Sequence, residues 1–387
     1  MPQFYTSPVR VLEVFLAFLG LGLTSFGGPL AHLGYFHQAL VRRRGWLSEV
    51  AYAQLVALAQ ALPGPTSSQV GMALGLFRAG PLGALAAWLG FTLPSALLLY
   101  LVGVGLEAFS PPPGLSQGLK VLALAVVAQA LGQMAQGLAP DRPRLAIAFL
   151  TAVLLTLWPQ GQLPALLMAG VLGLFLPLAP PPPPSLQALS SRAGALAFLV
   201  FLGLGLLLRA LAPLDPLWAF LEALYTSGAL VFGGGHVVLP LLKEPLVPEF
   251  LDAGTFLAGY GAAQAVPGPL FSLAAFLGAK AHLGLPSPLA ALLALLALFL
   301  PGALLLFAAL PFWAHLGQIP ALRRALMGVN AGVVGLLLAA LYDPLFLEAV
   351  RGKGDFALAL GLFGLLRLGL PPWALALLGA TLGALFL

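Results

Sequence analysis

The sequence predicts an all-α polytopic membrane protein with about 12–13 transmembrane segments. They form two homologous, inverted repeats whose helices break at Pro-Gly-Pro. Three observations predict it: an extreme apolar composition, long apolar runs without polar alternation, and glycine and proline motifs that recur in the same order in each half.

Of the 387 residues, 60% are hydrophobic and 7% are charged; a soluble domain carries about 25% charged residues. So apolar a chain has no polar surface to turn to water, and a lipid bilayer is its expected surrounding. Barrel strands alternate polar and apolar residues, and runs such as Leu196–Leu208 do not, which argues against a β-barrel. The net charge of +5 comes from 17 basic and 12 acidic residues. Apart from Arg42, Arg43 and Arg44, the basic residues stand singly at the ends of apolar runs, as snorkelling and positive-inside anchors do. No nucleic-acid partner is expected. The absence of cysteine excludes disulfides, thiolate metal sites and thiol catalysis. Met1 to Arg10 lacks a charged region leading to a cleavage site, so the first apolar stretch is expected to be retained.

Apolar segments fall at 9–30, 49–78, 80–105, 116–138, 143–158, 162–178, 193–212, 216–240, 251–283, 287–312, 321–341, 355–369 and 372–387. The polyproline run Ala179–Pro184 interrupts them as a stiff, extended spacer. The expected organisation is a first repeat over 1–178, a proline-rich linker over 179–192, an additional linking transmembrane helix over 193–213, and a second repeat over 214–387.

The duplication rests on matched motifs. Phe26-Gly-Gly-Pro29 matches Phe232-Gly-Gly-Gly235 at an offset of 206, and Ala59-Gln-Ala-Leu-Pro-Gly-Pro65 matches Ala263-Gln-Ala-Val-Pro-Gly-Pro269 at 204. Phe91-Thr-Leu-Pro94 roughly matches Phe299-Leu-Pro301, and Ser48 and Asp252 stand at equivalent places as candidate N-caps. If each Pro-Gly-Pro segment crosses once, the repeats begin an odd number of crossings apart and are inverted; if each re-enters as a hairpin, they are parallel. Inversion is preferred, because duplicated transporters commonly use it to open to either side.

The Pro-Gly-Pro elements carry the most chemistry. Pro63, Pro65, Pro267 and Pro269 must break a helix inside apolar sequence. Free backbone groups at that depth are tolerated only inside protein or beside a wet cavity. Pro65 and Pro269 then suit the first position of a new half-helix, whose free N–H groups and dipole form an anion site. Thr66, Ser67, Ser68 and Gln69 add side-chain donors in the first half, whereas the second half keeps only Ser272. A lopsided oxyanion site is expected, with Gly64, Gly268, Gln60 and Gln264 beside it. A simple proline kink, with serines bonded back to the preceding turn, is the alternative. Gly27, Gly28, Gly233 and Gly234 either allow close backbone approach to the anion or tighten helix packing. His32, His37 and His236 could sense protons or bond the anion, but suit hydrogen-bonded interfaces better. Arg42, Arg43 and Arg44 mark a cytoplasmic loop or an anion entrance, and Arg78 belongs at the membrane edge. Glu13, Glu107 and Glu222 are intramembrane or interfacial acids. No metal site, cofactor or convergent catalytic set is expected, so the protein is not read as an enzyme.

These residues resemble the chromate ion transporter family. The resemblance is carried by Phe26-Gly-Gly-Pro-Leu-Ala-His-Leu-Gly-Tyr-Phe-His37, Arg43-Arg-Gly-Trp-Leu47, Gln60-Ala-Leu-Pro-Gly-Pro-Thr-Ser-Ser-Gln-Val-Gly71, Arg78-Ala-Gly80 and Trp88-Leu-Gly-Phe-Thr-Leu-Pro-Ser95. In the second half it continues in Phe232-Gly-Gly-Gly-His-Val-Val-Leu-Pro240 and Gly261-Ala-Ala-Gln-Ala-Val-Pro-Gly-Pro269. It implies a long-form, two-domain secondary transporter of the inner (plasma) membrane, with halves of opposed orientation. Such a protein exports chromate and gives chromate resistance; alternating access, by rocking of the two halves around a midplane anion site, is the expected mechanism. Sulfate or another small oxyanion, an anion channel, and a homodimeric assembly stay open beside that implication.

Overall fold

The computed structural model describes residues 7–26, 28–108, 113–178, 190–232, 238–313 and 318–386. The polyproline run and Gly27, Gly233, Gly234 and His236 lie outside them. Among the described residues no strand occurs.

The chain opens with α1 (Pro8–Thr24) and α2 (Gly28–Phe36), the latter prolonged by a π-helical turn, His37–Arg42. α3 (Glu49–Ala61) follows, then α4 (Thr66–Ala108), which is sharply kinked at Ala79 and Gly80. Next come α5 (Pro113–Leu138), α6 (Arg142–Leu157) and α7 (Gln162–Gly173). The expected linking helix is α8 (Ser191–Leu211). It begins two residues early because Ser190 caps it, accepting from the Ala193 amide at 3.2 Å. The second half holds α9 (Pro216–Leu230), α10 (Val238–Leu246), α11 (Ala253–Ala265), α12 (Leu273–Lys280), α13 (Ser287–Ala309), α14 (Pro320–Ala340), α15 (Lys353–Arg367) and α16 (Pro372–Phe386).

Among the described residues, five helices are long and apolar enough to cross a membrane: Thr66–Gly105, Gln117–Leu138, Ser191–Leu214, Ser287–Phe312 and Pro320–Ala349. With the shorter apolar helices around them, they make an all-α, multi-pass membrane protein. Many of the shorter helices pair into hairpins. α1 and α2 double back about Phe26, so the rings of Phe18 and Phe36 meet at 5.3 Å. α3 and the first arm of α4 double back about Pro63–Pro65, and Arg78, thirteen residues past Pro65, stacks on Trp46 at 5.6 Å, just before α3. α11 and α12 double back about Pro267–Pro269, pressing Gly259 against the Phe276 ring.

Two long helices fix the direction of these hairpins. Along the second arm of α4, Gly83 packs on Gly75, Ser95 on Ser272, and Gly103 beside Ala279. That arm therefore passes the outer end of the first hairpin, then the second break, then the outer end of the second hairpin. Along α13, Ala290 packs on Gly278 and Gly302 on Gly64 and Pro65, the reverse order. The two Pro-Gly-Pro hairpins approach from opposite ends of the molecule. The long helices also exchange partners. α5 packs on α15–α16, where the amide of Gln117 donates to Ala349 O at 2.7 Å and to Asp355 at 3.0 Å. α14 packs on α6–α7, with Gly332 against Ala169 and Gly335 against Ala148.

Candidate functional site

Both breaks are built alike. Leu62 and Val266 precede prolines and are extended, with ψ of 149° and 136°, which ends α3 and α11 one residue earlier. Ser48 and Asp252 cap the opposite ends of these helices, accepting from the amides of Ala51 and Thr255. Gly64 and Gly268 have φ of +126° and +103°, conformations that glycine alone adopts without strain. A Cβ on Gly64 would stand 2.8 Å from the Gly302 Cα, and one on Gly268 2.9 Å from the Ser95 Oγ. Pro65 and Pro269 sit at N-caps, one position before the N1 expected of them: the Gln69 amide donates to Pro65 O, and that of Ser272 to Pro269 O.

The breaks are tied crosswise to the glycine elements of the other half. The Gly64 amide donates to Val231 O at 2.6 Å, and the Gly268 amide to Ser25 O at 2.9 Å. His32, 1% exposed, joins the two breaks. Its Nε2 stands 3.2 Å from Ser25 O and its Nδ1 3.3 Å from Ser67 Oγ. A carbonyl only accepts, so Nε2 carries the proton and Nδ1 of the neutral ring accepts from Ser67. One hydrogen-bonded path thus runs from Ser67 through His32 and Ser25 to Gly268.

Thr66, Ser67, Ser68 and Gln69 are all buried. Gln69 Nε2 donates to Pro63 O at 2.8 Å and Gly302 O at 3.0 Å. Ser272 shares a 2.7 Å hydrogen bond with Ser95. Ser68 Oγ is buried and has no partner among the described residues. Gln60 is exposed and Gln264 half-buried.

The predicted residues that line open space belong mostly to the second break. A cavity of about 370 Å³ is bounded by Phe26, Gly28 and Tyr35, by Gln129 and Gln133 of α5, by Gln264 and Gly268, and by the turn between α15 and α16. Thr66–Gln69 and Ser272 are not in its wall. Gln129 and Gln133 escaped the sequence reading; their signal was two amides four residues apart in an apolar helix. A second cavity, about 270 Å³, lies beside α10. Gln160 and Gln162 make its wall polar and Lys243, Glu244 and Asp343 give it charge, with Lys243 and Asp343 paired at 3.3 Å.

The charged residues stand further out. Arg78 donates to Glu13 at 2.8 and 3.2 Å. Arg44 stacks on Trp46 from 5.8 Å. Glu49 accepts from His37, and from Arg42 at 3.3 Å, while Arg43 is exposed. The His37 hydrogen bond, with help from Arg42, holds the Glu49 carboxyl below its ordinary value. Glu222 accepts from Arg209 and Thr226; Glu107 is helical, and its side chain lies outside the described set. Among the described residues no group of three metal-ligating side chains occurs.

The chain is similar to several curated transport proteins. It is 27% identical to the chromate transport protein of Cupriavidus metallidurans, over 87% of this chain and 83% of that protein. It is 28% identical to the chromate transport protein of Pseudomonas aeruginosa, over 89% and 83%. It is 28% identical to the probable chromate transport protein of Synechococcus elongatus, over 84% and 81%. No solved structure matches. The chromate transporter family model matches residues 12–174 and 218–384, most of the chain, and the protein belongs to that family of transport proteins.

Proposed function

We propose that this protein is a secondary transporter that exports chromate across the inner membrane by alternating access, and thereby gives chromate resistance. The observation that carries the reading is the crossed pair of hydrogen bonds, Gly64 to Val231 and Gly268 to Ser25. Each half closes the break of the other, so a rocking of the halves would loosen both breaks together. Two cavities, about 370 and 270 Å³, flank α2 and α10, elements that occupy equivalent places in the two halves.

The halves are proposed to be inverted repeats. The family model matches two stretches, the motif offsets agree, and the two hairpins meet the long helices in opposite order. Arg42, Arg43, Arg44 and Arg78 gather at one end, which the positive-inside rule assigns to the cytoplasm. Direction follows from charge. One charge moved through 100 mV is worth about 2.3 kcal/mol, so a dianion leaving a negative-inside cell gains about 4.6 kcal/mol per 100 mV. Export then runs on the potential alone.

The test is chromate flux in proteoliposomes under an imposed potential. Saturable flux that rises with outward driving voltage and shows counterflow supports the reading. Flux indifferent to voltage and to the anion removes it.

A further inference from the structure

We infer that Gln129, Gln133 and Gln264 form an uncharged amide site, on the wall of the cavity beside α2, that selects fully deprotonated tetrahedral oxyanions over protonated ones. The inference rests on the transport reading above and names the groups and substrate class behind it.

Gln129 and Gln133 stand four residues apart on α5, so their side chains share one face. Gln264 faces them from the last turn of α11, directly before the second break. Gln264 Nε2 is buried and has no partner among the described residues. Gln129 Oε1 is likewise buried and unpartnered, and that amide can turn to present either end. Buried polar atoms without partners are rare and call for a ligand or water.

Among the described residues the wall holds no carboxylate, lysine or arginine. This has two consequences. Neutral donors bind a dianion through several hydrogen bonds without the deep charge pairing that would slow release from a carrier. They also serve an anion that only accepts, such as chromate or sulfate. Phosphate keeps a proton near neutral pH, and the wall offers that proton only a neutral amide oxygen, a weaker acceptor than a carboxylate. The equivalent places beside α10 are Leu336 and Ala340, and charge there comes from Lys243 and Asp343. Selection is therefore assigned to the cavity beside α2.

The experiment measures the concentration dependence of chromate uptake into proteoliposomes, with sulfate and phosphate as competitors. The chains are the wild type and the near-isosteric variants Gln129→Met, Gln133→Met and Gln264→Met. Each variant is expected to raise KM about tenfold, the effect of one hydrogen bond to a charged group, with a smaller change in maximal rate. In the wild type, sulfate is expected to compete and phosphate not. Gln133→Glu, which adds a carboxylate acceptor, should weaken chromate and admit phosphate. Met variants with wild-type KM, or phosphate competing as well as sulfate in the wild type, would overturn the inference while leaving chromate transport intact. A wild type that carries no oxyanion would remove the transport reading itself.

Discussion

Gly64, in the first Pro-Gly-Pro, donates its amide to the carbonyl of Val231, the residue that ends α9 in the other half. Its counterpart Gly268 donates to Ser25, the residue that ends α1. Each bond brings together a broken helix and a glycine element some 165 to 245 residues apart, and the two bonds are related by exchange of the halves. A proline-broken helix would otherwise expose its amides inside an apolar protein, where an unmade hydrogen bond costs about 1–3 kcal/mol.

Gly64→Ala and Gly268→Ala are expected to destabilise the protein by roughly 2–5 kcal/mol each, combining the left-handed backbone penalty with overpacking. Gly45 also has positive φ, +62°, but nothing lies within 4 Å of its Cβ position. Gly45→Ala should cost only about 1–2 kcal/mol. Thermal unfolding in detergent measures all three, and equal losses would remove the argument from close approach.

Arg78 and Glu13 join the first hairpin to the start of α1 and are each about one-third exposed. A double-mutant cycle with Arg78→Gln and Glu13→Gln is expected to give a coupling of about 0.5–1 kcal/mol. A coupling of zero would mean that the pair does not hold that end together.

Ser68→Ala and Ser272→Ala should part in opposite directions. Ser272→Ala removes the bond to Ser95 and should lower stability by about 1 kcal/mol. Ser68→Ala removes an unpartnered hydroxyl, so stability should hold. If Ser68 meets the anion when the halves rock apart, chromate flux should fall roughly tenfold. Unchanged flux in Ser68→Ala would take that residue out of the site.

Glu49 gives a pH-dependent prediction. Its carboxyl is lowered from 4.5 in the folded protein. Its contribution is therefore present above pH 4.5 and is lost as the pH falls through the folded value. Glu49→Gln should lower Tm at pH 7, and the difference from wild type should vanish in acid. A difference that persists there would assign the loop's order to something other than the His37 and Arg42 contacts.

The helix breaks and the caps at Ser48 and Asp252 were legible in the sequence, because proline geometry and capping side chains act locally. The hairpins were not. Hydropathy marks how far a segment extends but not whether it returns, so 9–30 and 49–78 looked like spans. The resulting choice between crossing with inversion and re-entry with parallel halves was too narrow. α1–α2 doubles back as well as α3–α4, and two such hairpins before the first long arm leave room for hairpins that re-enter and yet approach from opposite ends. The donors at Thr66–Gln69 looked like an anion cradle by type, but Gln69 is engaged with Pro63 and Gly302 and Ser67 with His32. Gln129 and Gln133 drew no attention because their meaning depends on Gln264, more than 130 residues away in the chain.

The most direct test of the crossed, oppositely directed hairpins uses the native absence of cysteine. Arg43 and Glu249 are exposed in the equivalent loops before α3 and α11. Single Arg43→Cys and Glu249→Cys chains would be treated with a membrane-impermeant thiol reagent in right-side-out and inverted vesicles. Labelling of Arg43→Cys only in inverted vesicles and of Glu249→Cys only in right-side-out vesicles is the expected result. Labelling of both from the same side would contradict it.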